Sequence, residues 1–184
     1  MTNITEPPKR HHYGLFEAPM NARQLSRHRG TDPELAGRLV AYFRPTGFCL
    51  DPCRGPGPTY PFYDALPEPK DWCEILAGRD FLDWQRPVDW IVTNPDWSCD
   101  YRAFAAHAFR VAANVVFLAP LHVAVNTYRR HRDWHAHLHG LRKIIVLDWE
   151  DAGFPSAGYI LAAIHWQRGY NGGTDWRYWT NIFD

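Results

Sequence analysis

Asp89-Trp90-Ile91-Val92-Thr93-Asn94-Pro95-Asp96-Trp97-Ser98 is the stretch from which the rest of the chain is read. Trp90 to Thr93 form a short apolar run rich in β-branched residues, the pattern of a buried strand. The run stops at Asn94-Pro95, because proline cannot donate to a ladder and keeps the residue before it out of a helix. In an α/β sheet, ligands collect outside the carboxyl ends of the strands, so the polar lip Asn94-Pro95-Asp96-Trp97 falls where chemistry is expected. It offers the Asn94 amide oxygen, the Pro95 carbonyl and the indole face of Trp97. Two acceptors beside a ring suit a flat substrate bearing an exocyclic amino group: the acceptors take its two N–H bonds while the indole stacks. The same residues also suit a plain strand-to-loop turn with asparagine as its turn former.

Upstream, Thr31-Asp32-Pro33-Glu34 reads as a helix start, with a capping side chain, proline at the first helical position and an acid in the first turn. Leu35, Leu39, Val40 and Phe43 continue it as an apolar stripe that stops near Pro45-Thr46-Gly47. Phe48-Cys49-Leu50-Asp51 is a short strand followed by Pro52-Cys53-Arg54-Gly55-Pro56-Gly57-Pro58. Two glycines one residue apart let a backbone turn sharply and approach a ligand, and Asp51 can meet a cation. Three prolines stiffen this loop, so the next helix is expected late, around Pro61 to Leu66. Trp72-Cys73-Glu74-Ile75 reads as the second strand. Its acid, Glu74, stands roughly 20 residues beyond the glycine loop, where dinucleotide-binding folds place the acceptor for ribose hydroxyls. Asp80 and Phe81 follow in a loop, an acceptor for an adenine amino group and a cover for its ring.

Downstream, Tyr101 to Ala112 has helical spacing, and Val115 to Ala119 is another buried strand closed by Pro120. Tyr128 to His139 is expected as a basic helix in which His131, His135 and His139 share one face. Without a carboxylate or cysteine among them no metal is expected, and Arg129, Arg130 and Arg132 form a local basic patch for phosphates. Lys143 to Asp148 and Tyr159 to Trp166 read as two strands forming an antiparallel edge of a mostly parallel sheet. Gly169 to Gly173 is a turn, and Trp176, Tyr178, Trp179 and Phe183 make the end too aromatic for a tail, so it is expected to pack back on the sheet or line a groove.

The 184 residues suit one domain, taken as 15–184 behind a loose arm at 1–14, and 46% hydrophobic content with 15% aromatics indicates a packed globular chain. Twenty basic and twenty acidic residues cancel, so any affinity for nucleic acid has to rest on a local patch. Cys49, Cys53, Cys73 and Cys99 contain no C-x-x-C pair, which argues against a zinc site or disulfide framework and for a reducing, cytoplasmic setting. No apolar run approaches the length needed to cross a bilayer, so no membrane partner is expected.

The order of these pieces is more specific than any one of them: a glycine loop after strand one, an acid after strand two, an acid-aromatic pair after strand three and Asn-Pro-x-aromatic after strand four. This order resembles that of the class I S-adenosylmethionine-dependent methyltransferases. Asn94-Pro95-Asp96-Trp97 resembles the Asn-Pro-Pro-aromatic signature of their amino-methylating branch, chiefly the DNA adenine-N6 methyltransferases. Asp51-Pro52-Cys53-Arg54-Gly55-Pro56-Gly57 resembles that family's Asp-Pro-Phe-x-Gly-x-Gly loop, and Thr31-Asp32-Pro33 resembles the Thr-Pro helix start that precedes it. Motifs can be assigned over residues 31 to 120. Two positions depart from the pattern: Asp96 replaces the second proline and Cys53 the loop aromatic.

The resemblance implies a Rossmann-like α/β fold, with a mostly parallel seven-stranded sheet, an antiparallel edge and helices on both faces. It implies S-adenosyl-L-methionine as cofactor, held by Thr31, Asp51, Pro52, Cys53, Gly55, Gly57, Glu74, Asp80 and Phe81. Methyl transfer to adenine N6 in DNA would then rest on Asn94, Pro95, Asp96 and Trp97, with Arg129, Arg130 and Arg132 on the nucleic acid. An enzyme of 184 residues is read as lacking a separate target-recognition domain and as working through a homodimer or a recognition partner. Methyl transfer to RNA or to protein glutamine, and a binding module that has lost catalysis, are the alternatives; the second draws on Asp96 and the proline-filled loop.

Overall fold

Asp32 starts the first helix as expected: its carboxylate accepts from the amides of Glu34 (2.8 Å) and Leu35 (3.1 Å), and Pro33 takes the first helical position. In the computed structural model, which describes residues 30–96, 100–125, 132, 139–147 and 160–181, this helix is α1, Pro33–Phe43. Arg44 ends it with φ at 49°, and its amide returns to the Val40 carbonyl. The strands are β1 (Cys49–Asp51), β2 (Lys70–Trp72), β3 (Val88–Thr93), β4 (Ala112–Pro120), β5 (His139–Leu147), β6 (Leu161–Arg168) and β7 (Asp175–Tyr178). Helix α2 (Pro61–Ala65) lies between β1 and β2, α3 (Tyr101–Val111) between β3 and β4, and the short α4 (His122–Val125) follows β4.

The seven strands form one sheet in the order β2-β1-β3-β4-β6-β5-β7. Strands β1 to β4 are mutually parallel, β6 runs antiparallel between β4 and β5, and β7 adds parallel to β5 at the outer edge. The α/β, mostly parallel sheet is therefore as expected, and its two late strands pair antiparallel. Both faces are covered. On one, Leu35 and Leu39 of α1 and Phe62 of α2 pack with Cys49, Val92 and Val116; on the other, Phe104, Ala108 and Phe109 of α3 pack with Leu50, Ile91 and Phe117. These strand residues alternate between the two faces, as the period of a doubly covered sheet requires. No helix among the described residues is long and apolar enough to cross a membrane.

Three sequence expectations need correction. The second strand ends at Trp72 rather than Ile75, because Glu74 turns to cap a 3-10 turn (Ile75–Ala77), its carboxylate accepting from the Leu76 amide. No strand lies between β2 and β3: that stretch holds only this turn and a second one (Phe81–Asp83), capped by Asp80. The acid-aromatic pair therefore follows no third strand. His139 belongs to β5 and not to a helix. Its ring is 1% exposed, stacks on Phe109 at 4.7 Å and lies 3.1 Å from the Ala112 carbonyl, a tertiary setting that overrides helical spacing. His131, His135, Arg129, Arg130 and the arm at 1–14 lie outside the described residues. The aromatic end does join the sheet, as β7, with Trp179 buried.

Candidate functional site at the carboxyl ends of the strands

The adjacent ends of β2, β1 and β3 are tied by polar contacts whose centre is Asp51. This side chain is 1% exposed. The Thr93 hydroxyl at the end of β3 donates to Oδ1 at 2.7 Å and the Cys53 amide donates to the same oxygen at 3.2 Å. On the other side, the Cys73 amide donates to the Asp51 carbonyl at 2.9 Å. Burial pushes the Asp51 carboxyl up to about 7; the Thr93, Cys53 and Tyr63 donors oppose the rise and the Glu74 charge adds to it.

The glycine loop runs on beside the end of β2. The Arg54 amide donates to the Cys73 carbonyl (3.1 Å) and the Gly55 amide to Glu74 Oε2 (2.9 Å). Gly55 has φ at 89°, and a Cβ built there meets nothing within 4 Å. A side chain is excluded by backbone conformation, while the space beside the glycine is open to a ligand. Pro52 is buried, whereas Cys53 and Gly57 are part-buried. Arg54 is clamped by aromatics, its guanidinium carbon 3.3 Å from the Trp72 ring centroid and 3.9 Å from that of Tyr60.

Glu74, 8% exposed, holds the loop through Gly55 and its own turn through Leu76 at 3.0 Å. Asp80 is half-buried and accepts from the Leu82 amide at 2.9 Å. Phe81 departs from its expected role as a ring cover. It is 3% exposed, with its ring 4.8 Å from Phe104 and 4.6 Å from His107, so the core of α3 claims it.

At the β3 lip, Asn94 Nδ2 donates to Thr31 Oγ1 at 3.1 Å. Thr31, which the helix does not use as its cap, is buried and fixes the amide instead. With the nitrogen on Thr31, the amide oxygen lies on the other branch. Pro95 is buried and Asp96 part-buried; Trp97 lies outside the described residues. Arg132 is exposed. No group of three His, Cys, Asp or Glu among the described residues could hold a metal ion.

Two members of this arrangement escape sequence reading. Thr93 has a weak signal in hindsight, a hydroxyl at the last strand position before Asn-Pro. The Arg54 clamp has none, since Tyr60 and Trp72 reach it only through the fold.

No family model and no curated protein matches the chain. Among solved structures it is similar to the M protein of the type I restriction enzyme EcoKI, with TM-score 0.60 and 12% identity over 77% of this chain and 44% of that one. It is also similar to a protein described as the modification subunit of a type I restriction enzyme from Vibrio vulnificus, with TM-score 0.56 and 14% identity over 81% and 46%. A third is described as a class I S-adenosylmethionine-dependent methyltransferase from Listeria monocytogenes, with TM-score 0.52 and 13% identity over 82% and 64%. The chain spans about half the length of the first two. The likeness shows the fold alone: a Rossmann-like, mostly parallel seven-stranded α/β sheet.

Proposed function

We propose that the chain transfers a methyl group from S-adenosyl-L-methionine to the exocyclic amino group of a nucleobase, adenine N6 in DNA. The observation that carries this reading is the alignment of two halves on neighbouring strands: the Asp51–Gly55–Glu74 cradle, and Asn94 oriented by Thr31 one strand away. The donor set fits the cofactor. The Glu74 carboxylate, tied to the Gly55 and Leu76 amides, and the Asp80 carboxylate, tied to the Leu82 amide, keep acceptor capacity that suits hydroxyl and amino donors, and Gly55 leaves room for close approach.

When bound, S-adenosyl-L-methionine supplies an activated methyl on a sulfonium centre, so the protein's work is positioning and electrostatics. An aromatic amine is a weak nucleophile because its lone pair is delocalised into the ring. Asn94 Oδ1 and the Pro95 carbonyl accept its two hydrogens, favour a pyramidal nitrogen and direct the lone pair toward the methyl. Asp51, at the loop's root, carries partial negative charge near neutral pH and suits a cationic neighbour. A base in a duplex must first leave the stack, at a cost of a few kcal/mol, so single-stranded or distorted DNA is the easier substrate.

Labelled S-adenosylmethionine with purified protein and DNA tests this reading. Label recovered as N6-methyladenine supports it, while label on cytosine N4, RNA or protein glutamine moves the same chemistry to another substrate. Asp96 in place of the pattern's second proline favours a second reading, a module that binds without catalysing. Asp96→Pro discriminates: activity gained only in the variant supports that reading.

A further inference from the structure

The carboxyl rim that holds the cradle carries Asp80, Asp96 and Asp100 among Arg54, Arg79 and Arg102, and the whole chain is neutral, so neither sign dominates there. The opposite end of the sheet differs. Arg86 stands two residues before β3, Arg110 in the last turn of α3, Arg168 at the end of antiparallel β6 and Arg142 near the start of β5. All four residues are exposed. They form a linked row. Arg110 Nη2 lies 3.5 Å from Gln85 Oε1 beside Arg86, Arg168 donates to the Arg110 carbonyl at 3.2 Å, and Arg142 donates to Gln167 beside Arg168.

Each guanidinium is steadied by a neutral partner. Arg86 lies 3.9 Å from the Phe48 ring centroid, Arg142 lies 5.6 Å from that of Tyr170, Arg110 lies 3.0 Å from His107 Nδ1, and Arg168 binds the Phe109 and Ala112 carbonyls at 3.0 Å each. Among the described residues no carboxylate pairs with any of the four. At the same end Lys143 is matched by Asp175 (3.1 Å), and Asp89 accepts from the Phe48 amide at 2.8 Å. Burial lowers the proton affinity of His107 and His165; Arg142 and Lys143 lower that of His165 further, and Arg110 that of His107, where the Trp84 carbonyl, Asp80 and Asp83 oppose it.

We propose that this row of arginines, at the amino ends of the strands, is a second nucleic-acid contact that takes a run of phosphodiesters away from the Asn94 lip. Guanidinium forks interleaved with ring faces suit phosphates better than scattered carboxylates. Register pairs Thr93 with Phe117, so the Asn94 lip stands six residues, about 20 Å, along the strands from Ala112, where the row begins. It therefore grips a different stretch of polymer from the one that presents a target base. The inference stands apart from methyl transfer.

The test is fluorescence anisotropy with a labelled DNA duplex of about 30 base pairs, titrated between about 50 and 200 mM salt. Each phosphate contact contributes about −0.9 to the slope of log affinity against log salt. The triple variant Arg86→Ala/Arg110→Ala/Arg142→Ala is expected to lower that slope by about 2 to 3 and to weaken binding about 10-fold or more at the lower salt. Arg168 is left in place because it caps α3. The corresponding triple lysine variant is expected to keep most of the affinity, which separates lost charge from lost structure. Unchanged duplex affinity in the alanine variant overturns the proposal, as does wild-type protein that binds poly-glutamate but not DNA. Calorimetry with S-adenosylhomocysteine keeps the two readings apart. Lost cofactor binding beside an intact arginine effect sinks methyl transfer alone, and the reverse sinks this proposal alone.

Discussion

Replacing Asp51 by asparagine should make the protein more stable at neutral and alkaline pH, although it removes a group from the cradle. Asp51 is buried, and its carboxyl is raised from 3.8 to about 7. Its folded pKa therefore lies above its unfolded value, and the folded state binds the extra proton. The stability this proton confers is complete below about pH 4 and is lost as pH rises through about 7. About three pH units at about 1.4 kcal/mol each make roughly 4 kcal/mol. Asparagine is near-isosteric, still accepts from Thr93 and never ionises. Urea unfolding at pH 5 and pH 8 should find Asp51→Asn more stable than wild type by about 1.5 kcal/mol at the lower pH, where about one of the three pH units is already lost, and by about 4 kcal/mol at the higher one. A variant less stable than wild type at pH 8, or one whose difference from wild type is the same at both values, would refute the buried, proton-holding Asp51. Destabilising charge at this position is what a functional site carries at the expense of the fold.

Asn94→Ala should lower the methyl-transfer rate by about 10²- to 10³-fold, the loss typical of one donor or acceptor aimed at the transition state, with S-adenosylhomocysteine affinity unchanged by calorimetry. Gly140→Ala should destabilise by about 1 to 3 kcal/mol in urea melts, since its Cβ would meet the Tyr170 carbonyl oxygen at 2.0 Å. Gly173→Ala, with nothing within 4 Å, should stay close to wild type in the same melts. His165 is held down to about 3 by burial, with Arg142 and Lys143 adding. Its neutral form supports the fold above about 6.5, and that support is lost as pH falls from 6.5 toward 3. His165→Phe should therefore flatten the acid side of the stability profile, which the urea midpoint at pH 7 and pH 4.5 would report.

What could be read from the sequence was what local rules govern. Asp32-Pro33 announces a helix start by side-chain capping alone, and the Asn-Pro pair ends β3 because proline permits little else. The apolar run of β3 marks a strand covered on both faces. Failures occurred where a distant residue decides. Glu74 reads as the end of a strand until its carboxylate is seen to cap its own turn and hold Gly55 across the loop. His139 continues a helical spacing, yet the burial of its ring against Phe109, 30 positions earlier, puts it in β5. Phe81 has the composition of a ring cover, and only the packing of α3 shows that the core uses it. Thr31 resembles part of a cofactor-binding helix start, and nothing local shows its tie to Asn94, 63 residues away.

The measurement that bears most directly on the account is titration calorimetry of the purified protein with S-adenosylhomocysteine, alongside Glu74→Ala. One molecule should bind per chain, with affinity about 10- to 100-fold weaker in the variant, the loss expected when a buried charged acceptor is removed. No heat of binding in the wild-type protein, or equal affinity in the two, would contradict a cofactor cradle between Asp51, Gly55 and Glu74.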